Sequence, residues 1–479
     1  MQHTDFDVIV VGGGTAGSIA AVAAARSGAR TCLVERAGHL GGTCFALANI
    51  TPFHNSRSEQ IVRGLPQELV DHIARRGGAR EGGHLPNPTG IGGSFTPVDP
   101  DIMKLVLFEM ADAASVDLSL HTILVDVMVA QGRVTGVQVH NKAGLHEMRA
   151  KVVIDATGDA DVAVRAGAAY NQDVPEAALN ATLLFRVAGV DTDSFIADAR
   201  SAPRKIVLLA DPYLRDSKGL DTAAVMRDQV RDIYDCPYIY LANLVRDYIP
   251  RRDWAEWEIT SEDKSGWGRL KPFGARFSIM PMPHRRDIVT LNATSITFDA
   301  TNGVELSRAE VEGQRQLHLV LEVLRRYVPG FNGCFLHTVM PAVSVRASRR
   351  IVGAYELTRA DVENGARFPD AIARGAYPMS VQSQTHANVR EHLFVRDGGD
   401  YDIPYRALVP RDTDGLLVAG RCLAATREAV GSARMGAQCM AYGHAAGTAA
   451  ALAAASNVAP RAIDVETLRS TLKEQHAIV

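Results

Sequence analysis

The chain has 479 residues, of which 47% are hydrophobic and 22% are charged, as in ordinary globular proteins. This length predicts two or three domains. The formal net charge of −3 gives no sign of a nucleic-acid or anionic-membrane partner. No apolar run reaches the length of a membrane span, and the first residues lack a signal-peptide pattern. Six scattered cysteines, without a C-x-x-C pair or metal-ligand spacing, indicate reduced thiols, no metal site and a cytoplasmic location.

The first element is an apolar strand that ends in the turn Gly12-Gly13-Gly14-Thr15-Ala16-Gly17. Gly12 permits the tight turn, Gly14 lets the backbone approach a pyrophosphate, and Gly17 lets the following helix pack closely on the strand. That helix is alanine-rich and points the N–H groups of its first turn at the phosphates. A second strand ends in Glu35, which is suited to accept hydrogen bonds from ribose hydroxyls. The pattern predicts a dinucleotide site and leaves NAD and FAD open.

The next segments predict a loop, a helix and paired strands. Residues 77–93 hold seven glycines and two prolines, which is typical of a mobile loop or a lid. Residues 100–114 have the apolar face of a helix, and the alternation over residues 118–139 predicts antiparallel strands around a Gln-Gly turn. A short apolar strand, residues 151–154, leads into Asp155-Ala156-Thr157-Gly158, where the glycine allows a close approach to the pyrophosphate.

From about residue 170 to 335, alternating segments predict the strands of a second sheet. Ser307-Arg308-Ala309-Glu310 fits a capping box that opens a long amphipathic helix. Residues 416–421 form another apolar strand, which ends in Gly420-Arg421. Residues 431–438 begin the helix that is expected to close the chain, from about Ala433 to Ala454, and its positive end is suited to a negatively charged cofactor ring.

This order of segments resembles the FAD-dependent oxidoreductases with a glutathione-reductase-like FAD-binding fold, and above all a broad bacterial group within them. The resemblance rests on the glycine turn, Glu35-Arg36, Gly41-Gly42-Thr43 and residues 346–355, 403–406, 417–422 and 443–447. It implies FAD as the cofactor and an α/β fold. In that fold a Rossmann-like FAD-binding domain of three layers (ββα), residues 1–170 and 405–479, carries an inserted mixed α+β substrate domain, residues 171–404. Part of residues 335–360 is expected to return to the FAD site.

The residues expected to bind FAD come from the glycine turn, the ends of strands and the start of the last long helix. They are Gly12, Gly14, Thr15, Ala16, Gly17, Glu35, Arg36, Gly42, Thr43, Ala156, Thr157, Gly158, Gly420, Arg421, Met435, Gly436 and Ala437. For Arg421 two interpretations stay open, a phosphate contact and a position on the surface.

The candidate catalytic residues are His386 and Arg346. His386 follows a run of polar residues in the expected substrate loop, so it is our candidate acid or base. Similar sequences carry an acid and a histidine close after Tyr377-Pro378, whereas this chain lacks the acid and has the histidine displaced. Cys44 is either a reactive thiol near the flavin or an inert one, and His54 is either a base or a structural group.

Arg346 belongs to a basic cluster with Arg349 and Arg350. Such a cluster is suited to bind a substrate carboxylate or a flavin phosphate through paired hydrogen bonds. The alternative is that these arginines form ion pairs with Glu356 or Asp361.

The sequence therefore predicts an enzyme that transfers a hydride between a small organic substrate and flavin N5, as a dehydrogenase or an oxidase. The electron acceptor is open between O2, a quinone and a partner protein, and self-association into a homo-oligomer is compatible with the sequence. One alternative is a flavin monooxygenase, a class that tends to show Gly-Asp where this chain has Gly420-Arg421. A second is a non-catalytic carrier, which has no need of the phosphate-binding glycines. A disulfide reductase would need a C-x4-C pair, for which Cys44 has no partner.

Overall fold

The computed structural model describes residues 5–42, 49–173, 179–202, 206–207, 211–241, 247–258, 277–382 and 390–479. Its strands, in chain order, are β1 (Asp5–Val11), β2 (Thr31–Val34), β3 (Asn49–Ile50), β4 (Leu85–Pro86), β5 (Ser94–Pro97), β6 (Asp117–Ser119), β7 (Ile123–Ala130), β8 (Arg133–Asn141), β9 (Gly144–Asp155), β10 (Tyr170–Gln172), β11 (Phe185–Ala188), β12 (Ile206–Val207), β13 (Ile239–Leu241), β14 (Phe277–Met282), β15 (Arg285–Asn292), β16 (Phe335–Val339), β17 (Arg349–Ile351), β18 (Ala371–Gly375), β19 (Met379–Gln382), β20 (Arg390–Leu393), β21 (Tyr401–Pro404) and β22 (Leu416–Val418).

The helices are α1 (Thr15–Arg26), α2 (Leu65–Arg75), α3 (Pro100–Ala113), α4 (Asp161–Arg165), α5 (Thr192–Ser201), α6 (Thr222–Ala224), α7 (Gly303–Tyr327), α8 (Arg359–Asn364), α9 (Arg427–Ala433), α10 (Gly436–Ser456) and α11 (Val465–Glu474). Short π-helical turns cover Tyr213–Ser217 and Val225–Gln229, and 3-10 turns cover Arg251–Trp257, Arg396–Gly398, Tyr405–Leu408 and Pro460–Ala462. Among the described helices, none has both the length and the apolar character required to cross a membrane.

The main sheet is parallel at its centre. Strands run in the order β6-β2-β1-β9, all parallel, and β22 adds to β9 in the same direction at residues Val153 to Asp155. The earlier part of β9 pairs antiparallel with β8, which in turn pairs with β7. Because parallel strands end at the same edge, the turns after β1, β9 and β22 meet there. The arrangement confirms the predicted Rossmann-like α/β fold.

Helices α1 and α10 pack against each other through residues without bulky side chains. An ideal Cβ on Gly443 would lie 2.4 Å from the carbonyl oxygen of Ala16, and one on Gly447 would lie 2.1 Å from that of Ala20. The glycines therefore let the two backbones approach more closely than alanines would. This packing places the middle of α10 beside the first turns of α1.

The second sheet is antiparallel, in the order β12-β13-β14-β15-β11-β16. Its apolar residues form a core with α7 that draws on residues 181 to 343, whereas residues from Ala347 onward pack in the core of the main sheet. The strands predicted over residues 182–187 and 288–292 lie in this sheet as β11 and β15. The domain boundaries near residues 170 and 405 stay a prediction.

Two predicted helix starts were wrong. The long helix α7 begins at Gly303, because the Asn302 side chain accepts hydrogen bonds from the N–H groups of Val304 and Glu305. Ser307 lies inside the helix, where its hydroxyl donates to the carbonyl of Gly303. The helix expected from about Ala433 is divided at Arg434 and Met435 into α9 and α10, and α11 follows it.

The antiparallel pair β7–β8 and the helix α3 lie where the sequence predicts them. Asp99 caps α3, since its carboxylate accepts from the N–H groups of Asp101 and Ile102. Residues 77–93, predicted as a mobile loop or lid, contain the short strand β4, which pairs with β5.

Candidate cofactor and substrate site

The glycine turn after β1 forms a backbone cradle. Gly12 has a φ of +103°, and an ideal Cβ there would lie 2.5 Å from the Ala156 carbonyl oxygen. A Cβ on Gly17 would lie 1.9 Å from the Gly12 carbonyl oxygen. By contrast, no atom of the described residues lies within 4 Å of an ideal Cβ on Gly14, so the space in front of it is open within that part of the chain. The turn thus leaves room for a ligand at Gly14, next to the first N–H groups of α1 at Thr15 and Ala16, which suits a pyrophosphate.

Glu35 holds the turn in place. One carboxylate oxygen accepts from the N–H of Gly13 at 2.6 Å, and the other accepts from the N–H of Ala37 at 2.7 Å. Each oxygen keeps a further lone pair, so ribose hydroxyls fit the same carboxylate. Arg36 is exposed beside it.

Gly42 packs against the turn, since its ideal Cβ would lie 2.9 Å from the Gly14 Cα. The neighbouring Gly41 donates its N–H to the Gly13 carbonyl at 2.9 Å. Thr43 and Cys44 lie outside the described residues.

The turn after β9 lies beside the glycine turn. Thr157 donates both its N–H and its hydroxyl to one oxygen of the buried Asp155, at 3.0 and 2.7 Å. Gly158 has a φ of +83°, and its ideal Cβ would lie 2.4 Å from a guanidinium nitrogen of Arg421. Only glycine lets Arg421 lie across this turn.

Arg421 forms an ion pair with Asp159 at 2.6 Å, and its side chain is only 19% exposed. The interpretation of Arg421 as a surface arginine is therefore wrong. Asp159 also accepts from the hydroxyl of Ser348. The Asp159 carboxylate already neutralises the guanidinium of Arg421. Arg421 by itself therefore offers no net positive charge to a phosphate.

The start of α10 lies near the same turns. Met435 is its N-cap residue, and no side chain caps it in the described structure. The N–H of Ala437 donates to the carbonyl of Thr51 at 3.2 Å, which ties α10 to the loop before α2. Gly420 contacts this helix through its carbonyl, which accepts from the Tyr442 hydroxyl at 3.0 Å. The structure thus places Gly420 beside α10 and, with an ideal Cβ 3.7 Å from that of Ala16, beside the first turn of α1, whereas Ala437 contacts Thr51.

Two arginines of the basic cluster form ion pairs, though with other carboxylates than predicted. Arg350 donates to both oxygens of Asp173 at 2.8 and 3.0 Å, and Arg349 pairs with Asp161 at 2.5 Å. The pairing of β17 with β10 brings Arg350 alongside the strand that precedes Asp173. The alternative of ion pairs with Glu356 or Asp361 is therefore wrong for Arg349 and Arg350.

Arg346 points elsewhere. It donates to the side-chain oxygen of Asn292, on the second sheet, at 3.1 Å. It also lies close enough to Arg434 to repel it electrostatically. Arg434 was missed as a candidate site residue in the sequence, where it is one more arginine, two positions before Gly436. Its position after α9 and immediately before α10 was the available signal.

Arg434 is a positively charged group beside which the described part of the chain places no carboxylate. Burial and the repulsion from Arg346 lower its pKa to about 10. Its Nε is buried and donates to no acceptor among the described residues. Among the described residues, neither Arg434 nor Arg346 forms an ion pair with a carboxylate. The two guanidinium groups are therefore suited to bind an anion.

Two tyrosines, Tyr377 and Tyr238, belong to the same electrostatic neighbourhood. Tyr377 interacts electrostatically with Arg346, Arg434 and Tyr238, and burial raises its pKa. Tyr238 in turn stacks on Phe95, with ring centroids 4.9 Å apart.

Two histidines lie nearby, on the loop before α2 and before β4. His54 Nδ1 is 3.0 Å from the Ser94 hydroxyl, and burial lowers its pKa. His84 Nε2 is 2.9 Å from the Gln67 side-chain oxygen, and burial lowers the pKa of His84 to about 3. Both rings are therefore neutral at neutral pH. His386 lies outside the described residues.

Comparison with known proteins identifies the family. The family model described as FAD dependent oxidoreductase matches residues 7–472. Digeranylgeranylglycerophospholipid reductase 1 of Methanopyrus kandleri is 30% identical over 168 residues, which are 32% of this chain and 40% of that protein. Reductase 2 of the same organism is 29% identical over 168 residues, 32% of this chain and 38% of that protein. The chain thus spans well under half of the length of these relatives.

Among solved structures, a geranylgeranyl bacteriochlorophyll reductase-like protein from Thermoplasma acidophilum aligns with a TM-score of 0.50 and 14% identity. The alignment covers 99% of this chain and 85% of that one, and it supports the fold. The match of the family model over nearly the whole chain agrees with the cradle at Gly14 and the neighbouring turns. The chain belongs to the FAD dependent oxidoreductase family, and its cofactor is FAD.

Proposed function

We propose that this protein transfers a hydride between a small organic substrate and flavin N5, as a dehydrogenase, reductase or oxidase. One observation carries the proposal. Residues of the second sheet and residues of the FAD-binding part meet at the start of α10, through Arg346, Arg434 and Tyr377. A substrate between them would lie next to the cofactor. Bound FAD supplies the hydride acceptor or donor, and the protein orients the substrate and moves the proton.

We infer that the cofactor-binding residues are those predicted from the sequence. Gly12, Gly14 and Gly17 leave the pyrophosphate space, and Glu35 offers its free lone pairs to the ribose. The start of α10 is the positive end of that helix, and its N–H groups other than that of Ala437, which donates to Thr51, suit the electron-rich edge of the flavin.

The proton acceptor is proposed to be a histidine. His386 remains the residue proposed from the sequence. His54 is a second candidate, because it is neutral, partly exposed and held by the Ser94 hydroxyl next to the loop that contacts α10. The variants His386→Gln and His54→Gln distinguish the two candidates. The base is the histidine whose replacement removes the acidic limb of the pH–rate profile, while the other variant retains that limb.

The cellular setting is also part of the proposal. Among the described residues, Cys32, Cys236, Cys334, Cys422 and Cys439 are buried and none of them forms a disulfide. This supports a reducing, cytoplasmic environment. We also propose the domain division predicted from the sequence, with residues 1–170 and 405–479 in one domain and residues 171–404 in the other. The proposed electron acceptor is O2, a quinone or a protein.

The test is flavin reduction under anaerobic conditions. Purified FAD-loaded protein is mixed with a panel of small alcohols, amines and hydroxy acids, or chemically reduced and mixed with carbonyl and alkene acceptors. Bleaching of the flavin by a donor, or its re-oxidation by an acceptor without O2, supports hydride transfer. Substrate oxygenation that requires O2 and a nicotinamide would instead assign a monooxygenase and overturn the proposal.

A further inference from the structure

The two arginines at the start of α10 lie in an unusual electrostatic setting. Arg346 and Arg434 repel each other, and no carboxylate among the described residues pairs with either. Arg421, the next cation, is already paired with Asp159. Placing like charges together in a partly buried site is unfavourable unless an anion joins them. The charge of this cluster therefore indicates a negatively charged ligand.

The anchoring of Arg346 says on which side that ligand lies. Arg346 donates to Asn292 of β15, and the same Asn292 oxygen accepts from the Thr182 hydroxyl at 3.1 Å. Asn292 belongs to the second sheet and Thr182 lies just before its strand β11, whereas the pyrophosphate space at Gly14 lies at the end of β1 in the main sheet. An anion shared by Arg346 and Arg434 thus lies at the border of the two parts. This is the position of a substrate rather than of the FAD phosphates.

The surroundings indicate an apolar or aromatic ligand body. Tyr377 interacts electrostatically with both arginines and with Tyr238, and the Tyr238 ring stacks on Phe95. An ideal Cβ on Gly92 would lie 3.1 Å from the Tyr377 ring, so this loop also packs closely against the ring. Flat side chains next to a pair of guanidinium groups are suited to a planar carboxylic acid.

We propose that Arg346 and Arg434 together bind the carboxylate of the substrate, and that Tyr377 and Tyr238 pack against its apolar part. The proposal rests on the proposed function and narrows its substrate to a carboxylic acid. Arg434 fixes the carboxylate relative to the start of α10, and Arg346 fixes it relative to the second sheet. The reacting carbon is then presented to the cofactor at a set distance from the acid group.

The test uses benzoate and its uncharged analogue benzamide as probes of the FAD-loaded protein, with affinity measured by calorimetry. We expect benzoate to bind at least about tenfold more tightly than benzamide, because only the carboxylate makes charge-assisted hydrogen bonds. Arg346→Gln and Arg434→Gln should each weaken benzoate about tenfold to a hundredfold and change benzamide about twofold at most. The matched control is Arg315→Gln, on the exposed face of α7 with a side chain 73% exposed, which should change neither probe.

Folding of the variants is checked by thermal unfolding and by the visible spectrum of bound FAD. Should a glutamine variant fail to fold, Arg434→Lys and Arg346→Lys keep the charge, and we expect them to retain part of the preference for benzoate. Equal affinity for benzoate and benzamide in the native protein would overturn the proposal. The proposal would also be overturned if benzoate bound only to FAD-free protein and Arg434→Gln bound FAD more weakly, since the arginines would then hold the cofactor.

The failure of this proposal is distinguishable from that of the proposed function. Hydride transfer from neutral donors, without any preference for acids, would leave the function standing and remove the carboxylate site. An arginine-dependent benzoate site in a protein whose flavin no donor reduces would do the reverse.

Discussion

Replacing Gly14 and Gly17 by alanine separates cofactor binding from folding within one turn. Gly14 has an extended backbone (φ −65°, ψ −176°), and its ideal Cβ meets no atom of the described residues within 4 Å. Gly14→Ala therefore fits the folded chain. Alanine is a poorer N-cap than glycine but restricts the unfolded chain, so these effects nearly cancel and stability should change by less than about 1 kcal/mol.

The methyl group of Gly14→Ala instead occupies the open space next to the first N–H groups of α1. If the pyrophosphate lies there, it must move away from those groups. Losing this contact should weaken FAD binding at least about tenfold, which corresponds to about 1.4 kcal/mol. Gly14→Ala is thus expected to fold normally and to lose FAD.

Gly17→Ala should behave in the opposite way. Its Cβ would lie 1.9 Å from the Gly12 carbonyl oxygen and 2.8 Å from the Ala156 Cβ, so α1 must shift away from β1. Overpacking against backbone atoms in a core costs about 3 kcal/mol or more. The unfolding midpoint of the FAD-free protein should fall by several degrees.

The assays are thermal unfolding of FAD-free protein and calorimetric titration with FAD. Gly303→Ala, at an exposed position with no atom within 4 Å of the new Cβ, is the matched control. Native FAD affinity in Gly14→Ala would refute the placement of the pyrophosphate. Native stability in Gly17→Ala would refute the close approach of α1 to β1.

Three further outcomes test the packing and the charges. Asp173→Asn leaves the buried guanidinium of Arg350 unpaired and should lower the free energy of unfolding by about 3 to 5 kcal/mol in urea titrations, whereas the double variant with Arg350→Met should recover most of that loss. Burial lowers the pKa of His444 from 6.5 to about 4, so between these pH values the unfolded chain binds more protons than the folded chain. The free energy of unfolding should therefore fall as the pH falls through this window. His444→Gln should make the free energy of unfolding depend less on pH there than in the native chain. Gly447→Ala places a Cβ 2.1 Å from the Ala20 carbonyl oxygen and should lower the unfolding midpoint; an unchanged midpoint would contradict the close packing of α1 on α10.

Much of the fold was predictable because its signals are local. The spacing of Gly12, Gly14 and Gly17 indicates a tight turn between a strand and the helix that follows it. Glu35 lies at the end of the next strand. The start of helix α3 was equally predictable, since Asp99 and Pro100 are residue types that strongly favour the start of a helix. Where two starting signals competed, as at Asn302 and Ser307, local sequence alone chose wrongly.

What the tertiary structure decided are the contacts between segments far apart in sequence. Arg350 pairs with Asp173, 177 positions away, because β17 and β10 are neighbours, and no local pattern reveals that choice. Arg434 becomes a candidate binding group only when α10 lies on α1 and the second sheet brings Arg346 beside it. The sequence by itself determined the cofactor cradle, since its geometry is built from consecutive residues. The substrate side depends on burial and on the charges of distant neighbours, which exist only in the folded chain.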